Sequence, residues 1–299
     1  MSGFNNLDSH IIDIGTSFSD GVAKENLATS DMAKVHIAFA EHCKNPREYY
    51  TSQSSHSAVD YAEFAKLFPA NKKLKILDIG VGRGESSVYL ASNGHSVTSV
   101  EPGYDFCMLI AFVKNKFNLD IKVVRTVGEE INKIGDSDFD VVIFNASLHH
   151  CDNPKLALKN AYSLLAPGGK VILSSEIQIR PWMSKKKWYW LLENYPEKMG
   201  HYGGNEHAYY SWEYIKMLEQ AGFQKTSKEP SGQFLNPIYR IRHDLNEKSF
   251  SSRGALAKMK FMVRGVYVFV MAAVVRIPVL FQPLAAVSII PCQFVGEKK

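Results

Sequence analysis

The chain has 299 residues, 45% of them hydrophobic and 22% charged, a composition that supports a large buried core and excludes disorder and collagen-like repeats. Its formal charge of +5 is too small for this length to indicate a dedicated nucleic-acid binder. That charge is uneven: residues 240–299 hold ten Lys/Arg against three Asp/Glu, so a basic tail of +7 follows a body of −2.

Residues 1–28 show no sustained periodicity. A helix is expected from Ser30 or Asp31 as cap, with Met32, Val35 and Phe39 at helical spacing and Asn45-Pro46 ending it. Residues 1–57 are drawn as an N-terminal helical or lid segment, and a second amphipathic helix is expected over 59–67. From residue 71 onward, short β-rich runs alternate with helical stretches, the pattern of parallel strands joined by crossover helices. Strands are predicted at 75–79, 96–100, 121–125, 140–145 and 170–174, and helices within 85–93, 105–117 and 154–165. Such a sheet binds ligands beyond the carboxyl ends of its strands. Residues 181–210 interrupt the rhythm with Trp182, Trp188, Trp190 and Tyr195, whose spacing favours core packing over stacking on a ligand. A helix over 211–221 stops at Gly222. The domain is drawn over 58–239, with 240–299 as an apolar, basic extension. Cys43, Cys107, Cys151 and Cys292 are far apart and form no C-x-x-C pair, which fits a reducing cytoplasm and neither a zinc site nor a disulfide framework. The first thirty residues show no secretory signal pattern.

The segment Leu77-Asp78-Ile79-Gly80-Val81-Gly82-Arg83-Gly84 leaves a predicted strand and opens a predicted helix. Its G-x-G-x-G spacing is one residue shorter than the G-x-G-x-x-G of pyrophosphate-cradling dinucleotide sites, which argues against an oxidoreductase. Glu101 ends the next strand, where a carboxylate can accept hydrogen bonds from two ribose hydroxyls. Together the two features point to a nucleoside ligand.

At these residues the sequence resembles the class I S-adenosylmethionine-dependent methyltransferases over about residues 58–225. The resemblance extends through Val100-Glu101, the run from Phe139 to His150, Leu164-Leu165-Ala166-Pro167-Gly168-Gly169-Lys170, and the segment from Glu213 to Phe223. It implies a Rossmann-like α/β fold with a seven-stranded, mostly parallel sheet, and S-adenosylmethionine as cofactor. By the same resemblance, the turn with Gly80, Gly82 and Gly84 packs on the methionine part, Asp78 orients the cofactor directly or through water, Glu101 holds the ribose, Gly128 and Glu129 approach the adenine, and Asn145 with Ala146 line the methionine side near the transferring methyl. Val127 departs from the acidic residue often found there, leaving adenine contacts to backbone groups or Glu129.

A sulfonium methyl is already activated, so alignment of a nucleophile can supply about 7–11 kcal/mol of the barrier, and no metal is expected. A hydroxyl nucleophile benefits from a base near neutral pKa. The candidates are His207 and His201 in the insertion and His149 and His150 after the fourth strand; Glu176 and Arg180 either orient a polar substrate or form a surface ion pair. In the tail, Lys258, Lys260, Arg264 and Arg276 flank apolar runs broken by Pro278 and Pro283, which disfavours a single membrane span. Residues 258–290 suit in-plane attachment to the cytoplasmic membrane face, and equally a packed helix or homodimer contact. The expected activity is methyl transfer to a hydroxyl of a small or lipid-linked substrate of saccharide or isoprenoid type. The alternative is a non-catalytic nucleoside-binding or scaffolding protein on the same fold.

Overall fold

Among the described residues, eight strands, numbered in chain order, form one sheet. A computed structural model describes residues 7–14, 18–51, 61, 65–68, 72–199, 205–231 and 254–299. The strands are β1 (Ile11–Asp13), β2 (Lys75–Ile79), β3 (Ser96–Glu101), β4 (Ile121–Arg125), β5 (Phe139–Asn145), β6 (Leu165–Ser174), β7 (Gln224–Pro230) and β8 (Cys292–Glu297), and across the sheet they lie in the order β1-β4-β3-β2-β5-β6-β8-β7. The helices that matter here are α1 (Asp20–His42), α2 (Pro46–Thr51), α3 (Glu85–Ser92), α4 (Tyr104–Phe117), α5 (Pro154–Leu164), α6 (Lys185–Asn194), α7 (Ser211–Ala221), α8 (Ala255–Val274) and α9 (Pro278–Ala286).

The sheet is buried on both faces, and the period of two along each strand assigns its side chains. Leu77, Ile79, Val100, Val124, Val142 and Phe144 enter one core with α5, α7, α8 and α9. Their alternates Ile76, Val97, Val123, Val141 and Ile143 enter the other, with α1, α3 and α4. β2 pairs in parallel with β3 on one side and β5 on the other, so the chain runs outward through β3 and β4 and then returns past β2 to form β5 on its far side. That reversal opens a crevice at the carboxyl end of β2.

The expected α/β class holds, and the predicted strands and crossover helices recur within a few residues of their expected limits. The count is eight rather than seven, because Ile11–Asp13 adds a parallel strand to β4 at the sheet edge. The first long helix begins ten residues before Ser30, at Asp20, because the Ser19 hydroxyl accepts a hydrogen bond from Val22 N at 3.3 Å. Most of the helix expected over 59–67 lies outside the described residues.

The boundary expected after residue 239 does not hold for the sheet. β8 comes from the last residues of the chain and lies between β6 and β7, antiparallel to both. Residues 254–291 therefore lead back into the domain, and their helices α8 and α9 bury Met271, Val275, Phe281 and Ala285 in the core. No single helix among the described residues is long and apolar enough to cross a membrane; the pair 261–274 and 278–286 passes that test only jointly, bent by 111°. Of the aromatic residues in the insertion, Trp188 is core, beside Ile179, Leu192 and Ala208. Trp182, Trp190 and Tyr195 are exposed, which corrects the expectation for three of the four.

Candidate active site

The turn between β2 and α3 bends through Gly80, Gly82 and Gly84, all at positive φ. At Gly80, with φ +67°, a Cβ would come within 2.5 Å of the Ser147 Cβ, so both the conformation and the approach require glycine. Ser147 in turn donates from its hydroxyl to the Ile79 carbonyl at 2.6 Å, tying the turn to the loop after β5. At Gly82 an added Cβ would meet nothing within 4 Å, which leaves this peptide facing open space.

Glu101 joins the turn to the end of β3. Its Oε2 accepts from Gly82 N at 2.7 Å and its Oε1 from Gly103 N at 2.8 Å. Burial pushes its carboxyl up to about 7, against the pull of the Gly103 and Gly82 N–H groups; the Glu25 charge adds to the rise and His150 opposes it. Asp78 is also buried, but it serves the scaffold: Ser86 and Ser87 donate to its Oδ2 at 2.6 and 2.7 Å. Desolvation raises it to about 6, and its Oδ1 has no partner among the described residues.

These groups border a cavity of about 210 Å³ at the carboxyl ends of the strands. Of the expected cofactor residues, Gly80, Gly82, Glu101, Gly128, Glu129 and Ala146 line it. Asp78, Gly84 and Asn145 do not: Asp78 turns to the serines of α3, a Cβ on Gly84 would meet Ile110 at 2.6 Å, and the Asn145 Oδ1 is buried without a partner. Three contributions were not anticipated. Val22, Glu25, Asn26 and Thr29 of α1 form a wall; Thr126 offers a hydroxyl; Ser147 closes the third side. Helix α1 is held there by Asn26 Nδ2 donating to the Pro102 carbonyl at 3.4 Å and by Ser30 donating to Asp105. Its wall residues, Val22 to Thr29, precede Gly80 by more than fifty residues, and no local motif marks them as part of a site.

The histidines separate by environment. His150 lines the cavity, with Nδ1 at 3.3 Å from Glu25 Oε2 and 3.1 Å from the Asn205 carbonyl. Burial pulls its imidazolium down, but the hydrogen bond to Glu25 and the charges of Glu25, Glu206 and Glu176 outweigh this and lift the pKa to about 9. His149 is buried, with Nδ1 at 2.7 Å from Glu176 Oε2. The same Glu176 carboxylate accepts from the backbone N–H groups of Ser147, Leu148 and His149 at 3.0–3.1 Å, so it organises the loop rather than meeting solvent. Arg180 donates to the Ile289 carbonyl, and its guanidinium anchors the segment before β8 rather than forming an ion pair with Glu176. His207, the first choice for a base, does not border the cavity; its backbone N–H donates to the His149 carbonyl at 2.9 Å, and burial lowers its imidazole pKa. His201 lies outside the described residues.

The cavity fits a nucleoside carrying a sulfonium side chain. The Thr126 hydroxyl is fully buried and unpartnered among the described residues, at the wall where a polar group of such a ligand would lie. The Glu101 carboxylate, with one N–H on each oxygen, retains lone pairs for ribose hydroxyls. The open space at Gly82 leaves room for the ligand's backbone approach.

A methyltransferase-domain family profile matches residues 77–173. The ubiquinone biosynthesis O-methyltransferase of Rickettsia conorii is 28% identical over 129 residues, covering 43% of this chain and 44% of that enzyme. Its counterpart in Rickettsia typhi is 31% identical over 103 residues, covering 34% and 41%. The chain thus spans less than half the length of these curated relatives. Among solved structures, phosphoethanolamine N-methyltransferase 2 of Haemonchus contortus, in complex with S-adenosylmethionine, matches with TM-score 0.52 at 16% identity, over 85% of this chain and 56% of that one. The cyclase SpnF matches with TM-score 0.50 at 15% identity, over 81% of each chain. These structural likenesses show the fold, and a cyclase built on it leaves the reaction to be argued from the site.

Proposed function

We propose that this chain is a class I S-adenosylmethionine-dependent methyltransferase, a reading that the methyltransferase-domain profile over residues 77–173 supports, and that it transfers a methyl group from that cofactor to a hydroxyl oxygen of a small or lipid-linked acceptor. The observation that carries this reading is the single cavity wall shared by Gly80, Gly82, Glu101 and Ala146, closed above by α1. Bound S-adenosylmethionine supplies a methyl activated on a sulfonium centre. Glu101 binds hydroxyls through its ionised carboxylate, and the glycine turn admits the ligand where any side chain would obstruct it. Val22, Asn26 and Thr29 cover the cavity and limit access of water. The names of the curated relatives favour an oxygen acceptor over nitrogen or carbon.

A lipid-linked acceptor is supported by the exposed apolar faces of α8 and α9. Met262, Val263, Val266 and Val270 lie at helical spacing on α8 and are each more than half exposed, and Val279 on α9 is 76% exposed. The surrounding tail is basic, which suits an anionic lipid surface.

The test is calorimetric titration with S-adenosylmethionine, followed by transfer of labelled methyl to organic-soluble and aqueous fractions of a cell extract. Micromolar binding with label in an organic-soluble phenol, saccharide or isoprenoid product is the expected result. Binding without transfer to any fraction would favour the non-catalytic nucleoside-binding alternative, and absence of binding at millimolar cofactor would end both readings. Co-sedimentation with anionic vesicles tests the lipid surface, and Val263→Asp with Val266→Asp should release the protein from them.

A further inference from the structure

Beside the cavity, a ring nitrogen of His149, a ring nitrogen of His150 and a carboxylate oxygen of Glu206 all lie within 4.8 Å of one another. We propose that these three side chains form a binding site for a divalent transition-metal ion at the edge of the cofactor cavity, a departure from the metal-free transfer expected from the sequence.

The argument rests on what holds the two imidazoles. Glu176 Oε2 lies 2.7 Å from His149 Nδ1, and the Asn205 carbonyl lies 3.1 Å from His150 Nδ1 with Glu25 Oε2 at 3.3 Å. Both acceptors hold a proton on Nδ1, so Nε2 is the nitrogen of each ring that can face an ion; on His150, which Glu25 holds protonated, the ion takes the place of the Nε2 proton. Metal-ligating histidines are arranged in this way, one nitrogen on the ion and the other donating to a carboxylate or backbone carbonyl. The rings are already stacked, with centroids 4.3 Å apart and planes at 37°. Glu206 is brought to them by its two neighbours: His207 N donates to the His149 carbonyl at 2.9 Å, and the Asn205 side-chain Nδ2 donates to the Asp152 carboxylate.

Two imidazoles and one carboxylate suit zinc, cobalt, manganese or ferrous iron better than calcium or magnesium, which prefer all-oxygen shells. Three protein ligands leave coordination positions open, as in catalytic rather than structural sites. His150 also lines the cavity, so an ion held by these three side chains would lie at its edge.

The experiment uses the full chain, stripped with a chelator and titrated with Co²⁺ by visible absorption and calorimetry, with and without S-adenosylmethionine. One equivalent of Co²⁺, displaced by Zn²⁺, is expected. Glu206→Gln and His150→Gln, both at partly exposed positions, should each weaken Co²⁺ about tenfold or more while melting as the parent does. His42→Ala, an exposed histidine on α1, serves as the control and should leave it unchanged. Absence of stoichiometric Co²⁺ binding, or binding that survives both substitutions, would overturn the proposal. Cofactor binding measured on the same samples is an independent readout, so failure of the metal site is distinguishable from failure of the methyltransferase reading.

Discussion

Replacing Glu101 by glutamine separates the two roles the structure gives this carboxylate. Glu101 is 6% exposed, and burial raises it from its ordinary 4.5 to about 7. At about 1.4 kcal/mol per pKa unit, its ionisation in the folded chain costs about 3 kcal/mol more than in the unfolded chain. Because the folded value is the higher one, this contribution favours folding fully below pH 4.5 and is lost as pH rises through 7. Glutamine abolishes the titration. Its amide NH₂ also faces one of the two N–H groups that Glu101 accepts, from Gly82 or Gly103, leaving that donor unsatisfied at a cost of about 1–3 kcal/mol. Relative to the parent, Glu101→Gln should therefore be less stable at pH 5 and comparable or more stable at pH 8.5. The free-energy difference between the two proteins should move by about 3 kcal/mol across that interval. Asp78, also raised by burial, titrates in both proteins and cancels in the comparison. Urea unfolding at the two pH values measures the effect, provided cofactor is absent. S-adenosylmethionine affinity at pH 8 should fall about 10- to 100-fold, since a charged hydrogen bond contributes about 1.5–3 kcal/mol. A stability difference that does not change between pH 5 and 8.5 would refute the buried, raised carboxylate, and unaltered affinity would remove Glu101 from the site.

Gly80→Ala forces an L side chain to φ +67° and into Ser147, so it should lose at least about 2 kcal/mol of stability; an unchanged thermal midpoint would contradict the close approach. His207→Ala removes a ring that does not border the cavity, so S-adenosylmethionine affinity should stay within about twofold by calorimetry, and a larger loss would place His207 in the site after all. Deleting residues 292–299 removes the strand between β6 and β7 and leaves both with unpaired backbone; the product should fail to melt cooperatively, whereas a soluble two-state protein would show that the tail is separable.

Short β-rich runs separated by helical stretches were enough to place β2 to β6 and their crossover helices, because strands buried on both faces and helices of 3.6-residue period leave different local patterns. The glycine turn and Glu101 were equally legible, since Gly80 and Gly82 are demanded by backbone geometry and Glu101 stands at the end of the next strand. The start of α1 was not: Asp20 to Thr29 has few apolar residues at helical spacing, and its cap is the single hydroxyl of Ser19. β8 was hidden for another reason. Cys292–Glu297 is a short run with few apolar residues after Pro291, and only pairing with β6 and β7 makes it a strand.

The residues themselves determined the α/β class, the bent loop and the carboxylate that follows it, because each depends on short-range periodicity or on a conformation that few residue types adopt. Tertiary structure alone decided that α1 roofs the cavity, that His150 rather than His207 borders it, and that the chain's last strand completes the sheet. Those outcomes depend on contacts between segments tens to hundreds of residues apart, and no local pattern records which distant surface a segment will meet.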